Sequence, residues 1–405
     1  MSGVATESVE NSDENALGGT SSFLRVDEGA GPTPADVLGV PFLPPGAATA
    51  ATNRLRAALG RVHAAMGPPP VQILESLFGI LDHRVLVALC EAGVPDHLTG
   101  AMTIAELARR TSSDPERLER LLRFGSTRGW VRIDRRGRVR TTRVTRFLRR
   151  DHPGGWRSWV EFAGGDDVVG AITAMSARAS DTADPFEASN GRAFFEWMAA
   201  NPQRGATFDR AMAAGARMHA LTLDAAVDWS ATTTVCDVGG GTGDLLAALL
   251  DLEPTLSATV LDRPEVVARA VHHDRLTATP GDAFAHVPPG FDTYLLINVL
   301  HDWGDAECIV ILERVAEAIR HRASGPTTPT TPSAPARLIV LEGDHTTVPR
   351  QDIAICTDVL MAALTSGGRE RSAADFAALG RAAGLELTST TRLASGDLAH
   401  ELRPS

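Results

Sequence analysis

A glycine-rich turn between two apolar segments is the feature that most restricts the fold of this chain. Residues 235–238 read Val-Cys-Asp-Val, Gly239, Gly241 and Gly243 follow at alternate positions, and an apolar run typical of a helix begins after Asp244. Glycine permits positive φ and leaves room where a Cβ would block a ligand. The pattern predicts a parallel strand that turns into a helix and presents a nucleotide-like ligand at its carboxyl end.

The acidic residues around this turn favour a ligand that lacks phosphates and carries a positive centre. Asp237 lies at the end of the strand, and Asp244 occupies the position of the third glycine in a dinucleotide-binding turn. A carboxylate there would repel a pyrophosphate at the helix N-terminus. The next predicted strand, 258–261, ends at Asp262, about 20 residues beyond the glycines, where a carboxylate can accept hydrogen bonds from ribose hydroxyls.

A third predicted strand end follows at residues 281–284, Gly-Asp-Ala-Phe. It offers a carboxylate and an aromatic ring suited to holding an adenine. The candidate cofactor-binding residues are therefore Asp237, Gly239, Gly241, Asp262, Asp282, Ala283 and Phe284.

Length and charge restrict the class of protein. The chain has 405 residues, of which 43% are hydrophobic, enough for two domains with a sizeable core. Its formal net charge is −11, whereas phosphate backbones require a basic surface. We therefore expect no nucleic-acid partner.

Cysteine usage and hydropathy predict a cytoplasmic protein. The four cysteines are isolated in apolar or helical contexts and form no Cys-x-x-Cys pair, so they are expected to be buried thiols of a reducing compartment; they are Cys90, Cys236, Cys308 and Cys356. No stretch reaches the ~18–20 apolar residues of a membrane span, and the acidic N-terminus lacks a signal-peptide pattern.

Hydrophobic periodicity divides the chain into four parts. Residues 1–66 are rich in Ala, Gly, Pro, Ser and Thr and are expected to be a disordered extension with one helix at 52–66. Residues 67–150 predict three helices and a β-hairpin, a winged-helix-like unit. Residues 151–228 predict a helical segment that supplies the substrate pocket. Residues 229–405 alternate strands and helices, so the predicted fold class is α/β, with a doubly wound parallel sheet.

A winged helix also raises the possibility of a DNA-binding regulator. The arginines between residues 132 and 150 could contact phosphates. However, the helix that would enter the groove, 115–128, mixes acidic residues such as Glu116 and Glu119 with its arginines. Dimerisation is the commoner use of such a unit in front of a nucleotide-binding domain.

A candidate general base follows the fourth predicted strand of the sheet. The strand at 291–300 leads directly into His301, and ligands of such sheets lie beyond the carboxyl ends of the strands. An imidazole with a pKa near 6.5 can accept the proton of a phenol, whose pKa is about 10. The alternative is a histidine that caps its helix or is satisfied in the core.

Two carboxylates could orient this imidazole. Glu342 follows the predicted strand 337–341, and Glu370 lies in a loop ahead of a predicted helix. A carboxylate bonded to an imidazole selects its tautomer and raises its basicity. Taken alone, Glu370 would more often be a surface charge.

The motifs together resemble those of the S-adenosylmethionine (SAM)-dependent O-methyltransferases of the caffeic-acid and hydroxyindole type. The resemblance extends over roughly residues 70–395 and rests on Glu342 and four segments: Val-Gly-Gly-Gly-Thr-Gly at 238–243, Leu-His-Asp-Trp at 300–303, Asp-Val-Leu-Met at 358–361 and Gly-Gly-Arg-Glu-Arg at 367–371. It departs at Ile297, where plant members have a lysine near the cofactor, and at Ala283, where a larger apolar residue is common.

The resemblance implies a SAM-binding domain behind a winged-helix dimerisation domain, and a homodimer. It implies that His301 is the general base and that Glu342 and Glu370 position it. The acceptor, an aromatic small molecule such as a polyketide antibiotic intermediate, would contact Met212, Asp302 and Met361. No metal is expected, because the Asp and His residues show no ligand spacing in the sequence. N-methylation, or a SAM-binding hydroxylase or decarboxylase, remains an alternative.

Overall fold

The structure is a computed structural model, which describes residues 33–38, 40, 46–177, 184–323, 335–343 and 353–405.

The N-terminal unit combines helices with a small antiparallel sheet. Its elements are α1 (Pro34–Leu38), α2 (Gly46–Met66), α3 (Pro69–Glu91), α4 (Val94–His97), β1 (Met102–Thr103), α5 (Ile104–Arg110), α6 (Pro115–Thr127), β2 (Val131–Ile133), β3 (Arg138–Thr141) and α7 (Arg143–Phe147). The sheet order is β1-β3-β2. Thr103 forms a capping box with Glu106, and the Asp114 side chain caps α6. Helices and wing enclose a core of their own, so the predicted winged-helix shape is confirmed.

A helical segment connects this unit to the large sheet. Its helices are α8 (Arg157–Ala163), α9 (Asp166–Ala177), α10 (Pro185–Asn190), α11 (Phe194–Ala200), α12 (Pro202–Met212) and α13 (Ala216–Asp224). Phe162, Phe186, Phe194 and Met198 are buried together in its core, with edge-to-face ring pairs such as Phe186–Phe194 at 5.1 Å.

The remaining elements build the large sheet and its flanking helices. They are β4 (Thr234–Val238), α14 (Asp244–Leu252), β5 (Ser257–Asp262), α15 (Pro264–Val267), β6 (Leu276–Pro280), β7 (Thr293–Ile297), a 3-10 turn (Leu300–Asp302), α16 (Asp305–Ala323), β8 (Arg337–Glu342), α17 (Ile353–Leu364), α18 (Ala373–Ala382), β9 (Leu385–Arg392) and β10 (Leu398–Pro404).

Within the described residues the sheet has seven strands in the order β6-β5-β4-β7-β8-β10-β9. The five strands from β6 to β8 are parallel, whereas β10 is antiparallel to both β8 and β9. Alternate residues of β7 face opposite cores: Tyr294 and Leu296 join one hydrophobic cluster and Leu295 the other. The carboxyl ends of the parallel strands meet at one edge, where Asp237, Asp262 and Glu342 lie.

The N-terminal extension differs from the sequence prediction. Residues 1–32 lie outside the described residues, but residues 34–38 and 46–66 are helical. Leu38 is only 3% exposed and packs into the cluster that contains Ala220 and Leu246, and its carbonyl accepts a hydrogen bond from Arg217. The predicted helix at 52–66 is part of α2, whereas α1 was not predicted. The prediction of disorder is wrong for α1, because this helix finds apolar neighbours that lie far away in sequence.

The prediction of four buried thiols is wrong for one cysteine. Cys90, Cys236 and Cys308 are buried, whereas Cys356 on α17 is exposed. None of the described helices is both long and apolar enough to cross a membrane.

Candidate active site

The glycine turn after β4 has the conformation that the sequence predicts. Gly239 has φ 76° and Gly241 has φ 62°, values that other residues rarely adopt. A Cβ on Gly239 would lie 2.9 Å from the Val299 side chain, so the turn packs against the segment that leads to His301. A Cβ on Gly241 would meet no atom within 4 Å, so this position opens towards space that a ligand can enter.

Asp237 is a buried carboxylate beside this turn. It is 2% exposed, and its Oδ2 lies against Gly240, where a Cβ would come within 2.5 Å. Its Oδ1 has no hydrogen-bond partner among the described residues. Burial, and to a lesser degree Asp262, raises the pKa of Asp237 to about 7. A ligand with a cationic amino group would supply the missing donor, so the turn fits SAM.

The other two predicted cofactor carboxylates also tie the backbone in place. Asp262 Oδ2 accepts from the Gly241 amide at 2.8 Å, and its Oδ1 accepts from the Arg263 amide at 2.7 Å. Asp282, at an exposed position, accepts from the Phe284 amide at 2.9 Å. Each carboxylate oxygen retains a lone pair for a ligand.

Aromatic rings link the adenine side of the predicted cofactor site to the His301 turn. Phe284, with Ala283 beside it, packs against the core of the sheet. The Phe284 ring meets Trp303 edge-on at 4.8 Å, and Trp303 stacks on Phe195 at 5.2 Å. Trp303 therefore connects the cofactor side to the helical segment that includes α11.

His301 and two buried glutamates come together at the ends of β7 and β8. His301 Nδ1 lies 3.1 Å from Glu370 Oε1 and 3.4 Å from Glu342 Oε2. Glu342 Oε1 accepts from the backbone amides of Val299 at 3.2 Å and Leu300 at 2.9 Å. The side chains of His301, Glu342 and Glu370 are 13%, 0% and 2% exposed, which leaves the imidazole as the accessible member of the group.

The carboxylates control the protonation of this imidazole. Burial lowers the pKa of His301, but Glu342, Asp302 and Glu370 outweigh it and raise this pKa to about 10. Burial raises the pKa of Glu342 to about 7 and that of Asp302 to about 6. Asp302 Oδ1 lies 3.5 Å from His301 Nε2, on the opposite side of the ring from the glutamates.

Arg371 is a site residue that the sequence reasoning did not identify. Its side chain is fully buried, and it donates to the carbonyls of Leu300 and Trp303, at 2.7 Å each, and to Asp305 at 2.8 Å. Its bonds therefore bracket the turn that carries His301. The available signal was its place in the Gly-Gly-Arg-Glu-Arg motif, directly after Glu370.

The predicted acceptor contacts have different surroundings. Met361 is 7% exposed on α17, and Asp358 of the same helix accepts from the Glu370 amide at 2.9 Å. Met212 ends α12 and is 42% exposed. Asp302 adjoins His301 as described above. Their contact with an acceptor stays a prediction.

The expectation that no metal is bound stays a prediction, but the structure brings together three residues of metal-ligating type. One ligand-type atom from each of His301, Glu342 and Glu370 lies within 4.8 Å of the others. Sequence spacing could not reveal this cluster because its members follow three different elements.

The sheet has seven strands, and the last one in the chain, β10, is antiparallel to its neighbours. Together with the acidic end of β4 and the glycine turn after it, this topology defines a class I SAM-dependent methyltransferase. Residues 173–386 match the O-methyltransferase domain, and residues 74–151 match the O-methyltransferase dimerisation domain. The chain belongs to this O-methyltransferase family, and it is a SAM-dependent O-methyltransferase.

Curated relatives and solved structures agree with this assignment. The chain is 30% identical over 335 residues to the mitomycin biosynthesis 6-O-methyltransferase of Streptomyces lavendulae, covering 77% of this chain and 88% of the relative. It is 33% identical over 307 residues to the 2,7-dihydroxy-5-methyl-1-naphthoate 7-O-methyltransferase of Streptomyces carzinostaticus, covering 72% and 86%. The structure of the mitomycin 7-O-methyltransferase matches with a TM-score of 0.72 at 28% identity, covering 86% of this chain and 100% of that one.

The match to a dimerisation domain favours dimerisation over DNA binding for the winged helix. The ion pairs of α6 point the same way, because Glu116 pairs with Arg120 and Glu119 with Arg123 along the helix. The acidic members of these pairs reduce the positive charge that the helix would present to phosphates.

Proposed function

We propose that this enzyme methylates a phenolic hydroxyl of an aromatic natural-product intermediate, with His301 as the general base. The contact of His301 Nδ1 with the buried Glu342 and Glu370 carries this proposal. It leaves Nε2 as the ring nitrogen available to an acceptor. The names of relatives support the substrate class, since they include a naphthoate 7-O-methyltransferase and an O-demethylpuromycin O-methyltransferase.

The cofactor would be held by the turn after β4 and the two neighbouring strand ends. Asp237 would accept hydrogen bonds from the amino group of the cofactor, and Asp262 from its ribose hydroxyls. Phe284 would cover the adenine beside Ala283, and Asp282 would accept a hydrogen bond from the adenine. Gly239 and Gly241 allow the cofactor to approach the backbone closely. Bound SAM supplies a methyl group already activated by a sulfonium. The protein therefore provides alignment, which contributes roughly 7–11 kcal/mol, and deprotonation.

The proton step involves residues of this chain alone. The phenol oxygen would take the methyl carbon as the carbon–sulfur bond of the sulfonium breaks and S-adenosylhomocysteine leaves, and its proton would pass to His301 Nε2. Glu342 and Glu370 hold Nδ1 protonated and stabilise the imidazolium that results. Met212, Asp302 and Met361 would orient the ring of the acceptor.

The test is a comparison of wild type with His301→Ala. We expect methyl transfer to fall at least about 100-fold, the lower limit for loss of a general base. SAM affinity, measured by calorimetry, should remain, because the cofactor residues are untouched. Full turnover by His301→Ala would refute the base assignment.

The acceptor can be found by incubating the enzyme with SAM and a panel of polycyclic phenols, followed by mass spectrometry. A gain of one methyl group supports the proposal, whereas a gain of oxygen or a loss of carbon dioxide would contradict it. Aromatic amines belong in the panel, because an N,N-dimethyltransferase acting on 8-amino-8-demethylriboflavin is 30% identical over 246 residues.

We also propose that the enzyme works as a homodimer. Helices α2 and α3 expose many large apolar side chains, among them Leu59, Ile73, Leu77 and Ile80 at 60–65%. A water-soluble monomer rarely exposes such a continuous apolar surface. The match to the dimerisation domain begins at residue 74, within α3.

A further inference from the structure

We propose that Arg269 and Asp209 form a positioning pair, through which bound cofactor fixes helix α12 of the acceptor side. Arg269 lies in the segment 263–271, which follows β5, and Asp209 lies on α12. The inference rests on the proposed contacts of the cofactor with the glycine turn and Asp262. It does not depend on the identity of the acceptor or on the role of His301.

The segment 263–271 is tied to the cofactor turn at both of its ends. At its start, the Arg263 amide donates to Asp262 Oδ1 at 2.7 Å, while Asp262 Oδ2 accepts from the Gly241 amide at 2.8 Å. At its end, the Val271 amide donates to the carbonyl of Thr242, inside the glycine turn, at 2.9 Å. A ligand that fixes this turn and Asp262 therefore fixes the segment as well.

The side chain of Arg269 reaches from this segment to α12. Its Nε donates to Asp209 Oδ2 at 2.8 Å, and its Nη2 donates to the same oxygen. The side chains of Arg269 and Asp209 are 34% and 7% exposed, so the carboxylate is the buried member of the pair. A buried carboxylate without its counter-charge is unfavourable, so the position of Arg269 determines where α12 is stable.

Arg263 makes a second connection from the same segment to the acceptor side. Its Nη1 donates to the carbonyl of Phe195 at 3.2 Å, and its guanidinium lies 5.3 Å from the centre of the Phe195 ring. Phe195 belongs to α11 and stacks on Trp303 at 5.2 Å. The segment 263–271 therefore holds two neighbouring helices, α11 through Arg263 and α12 through Arg269.

This bridge predicts that cofactor and acceptor assist each other's binding. Met212, a proposed acceptor contact, ends α12 three residues after Asp209. With the cofactor bound, α12 would be held in place before the acceptor arrives, so less conformational freedom would be lost on acceptor binding. Coupling between two sites typically changes affinity by roughly 5- to 150-fold, equally for both ligands.

Hydrogen exchange of the full-length chain, with and without saturating S-adenosylhomocysteine, tests the bridge in the absence of any acceptor. Exchange reports local opening of helices, and calorimetry confirms saturation. In wild type we expect the ligand to slow exchange of the α12 amides by at least about 5-fold, the lower limit of typical coupling. In Arg269→Gln this slowing should be lost, and Arg269→Lys, which keeps the charge, should restore most of it.

A second variant covers the case in which Arg269→Gln does not fold. Asp209→Asn removes the charge from the other side of the pair at nearly constant shape, and it should abolish the slowing in the same way.

The matched control is a buried ion pair on the same helix that does not involve the segment 263–271. Arg204 Nη2 lies 2.9 Å from Asp167 Oδ1, with side chains 25% and 4% exposed. Arg204→Gln should accelerate exchange of α12 in general, but S-adenosylhomocysteine should still slow it by the wild-type factor. This response separates a positioning role of Arg269 from a contribution to stability alone.

Three results would overturn the positioning pair. They are an unchanged exchange rate in wild type on ligand binding, a wild-type slowing in Arg269→Gln, and a loss of the slowing in Arg204→Gln to the same extent. If no phenol or amine of the panel is methylated, the proposed function fails, whereas the exchange experiment still decides the role of Arg269 because it uses S-adenosylhomocysteine alone.

Discussion

At the scale of single residues, the protonation of His301 determines when the site can act. Its raised pKa means that the free enzyme holds an imidazolium at neutral pH, and a base must lose this proton first. We therefore expect kcat/KM to rise with pH through the neutral range, approaching a factor of about 10 per pH unit below the pKa. A pH-rate profile that is flat over this range would contradict the assignment.

Glu342→Gln tests the origin of this shift. Glu342 is the carboxylate that raises the pKa of His301 most, so its neutralisation should move the rising limb of the profile to lower pH. The maximal kcat should also fall, because the imidazolium formed during transfer loses a buried counter-charge. Glu386→Gln on the exposed face of β9 is the control and should leave the profile in place.

Arg371 and Arg369 form a matched pair because both contact Asp305. Arg371→Met would remove the charged donor from the Leu300 and Trp303 carbonyls, which keep only weaker partners such as the Cys308 thiol. Hydrogen bonds to a charged group contribute about 1.5–3 kcal/mol each, so we expect a loss of roughly 3–5 kcal/mol of unfolding free energy and a lower kcat. Arg369 is 46% exposed, and Arg369→Met should cost less than about 1 kcal/mol. Equal effects in urea denaturation would show that the buried contacts of Arg371 contribute nothing.

At the scale of elements, α1 provides a test of whether the extension stabilises the large sheet. Leu38 and Val37 are neighbours in this helix, but Leu38 is 3% exposed and Val37 is 45% exposed. Leu38→Ala should lower the free energy of unfolding by about 2–4 kcal/mol through loss of buried contacts, and Val37→Ala should change it little. Thermal unfolding of the full chain would measure both. An unchanged Tm in Leu38→Ala would show that α1 does not contribute to stability.

Elements whose signals are local could be predicted from the sequence. The glycine turn, the Thr103 capping box and the hairpin after α6 each lie within a few residues, and the structure contains all three. The burial of Leu38 could not be predicted, because it depends on α13 and α14, which lie almost 200 residues away.

The site was predictable in part for the same reason. His301 and Glu342 could be identified as site candidates because each follows a predicted strand, and the carboxyl ends of parallel strands lie at one edge of the sheet. Glu370 was the weaker of the two carboxylate candidates before the resemblance was considered, since it belongs to a loop without a periodic signal. The burial of Arg371 and the metal-ligand geometry arise from contacts between β7, β8 and that loop, which no local pattern encodes.

At the scale of the whole molecule, the exposed apolar surface of α2 and α3 calls for a partner. Obligate dimer interfaces are large and hydrophobic, and α3 offers Ile73, Leu77 and Ile80 at helical spacing on one face. The partner that we propose is a second copy of this chain, because the family match over this region is a dimerisation domain.

Leu77→Glu should convert the dimer into a monomer. Leu77 is 65% exposed in the single chain, so the glutamate is tolerated in the monomer, whereas burying its charge in an interface costs several kcal/mol. Light scattering coupled to size exclusion should report one chain mass for Leu77→Glu and two for wild type. Val144→Glu, at a 42% exposed position on α7, is the control and should remain dimeric. A monomeric wild type would show that the dimer does not form. A dimeric Leu77→Glu with an unchanged Kd would place the dimer interface elsewhere. In either case the exposed face of α3 would need a different partner.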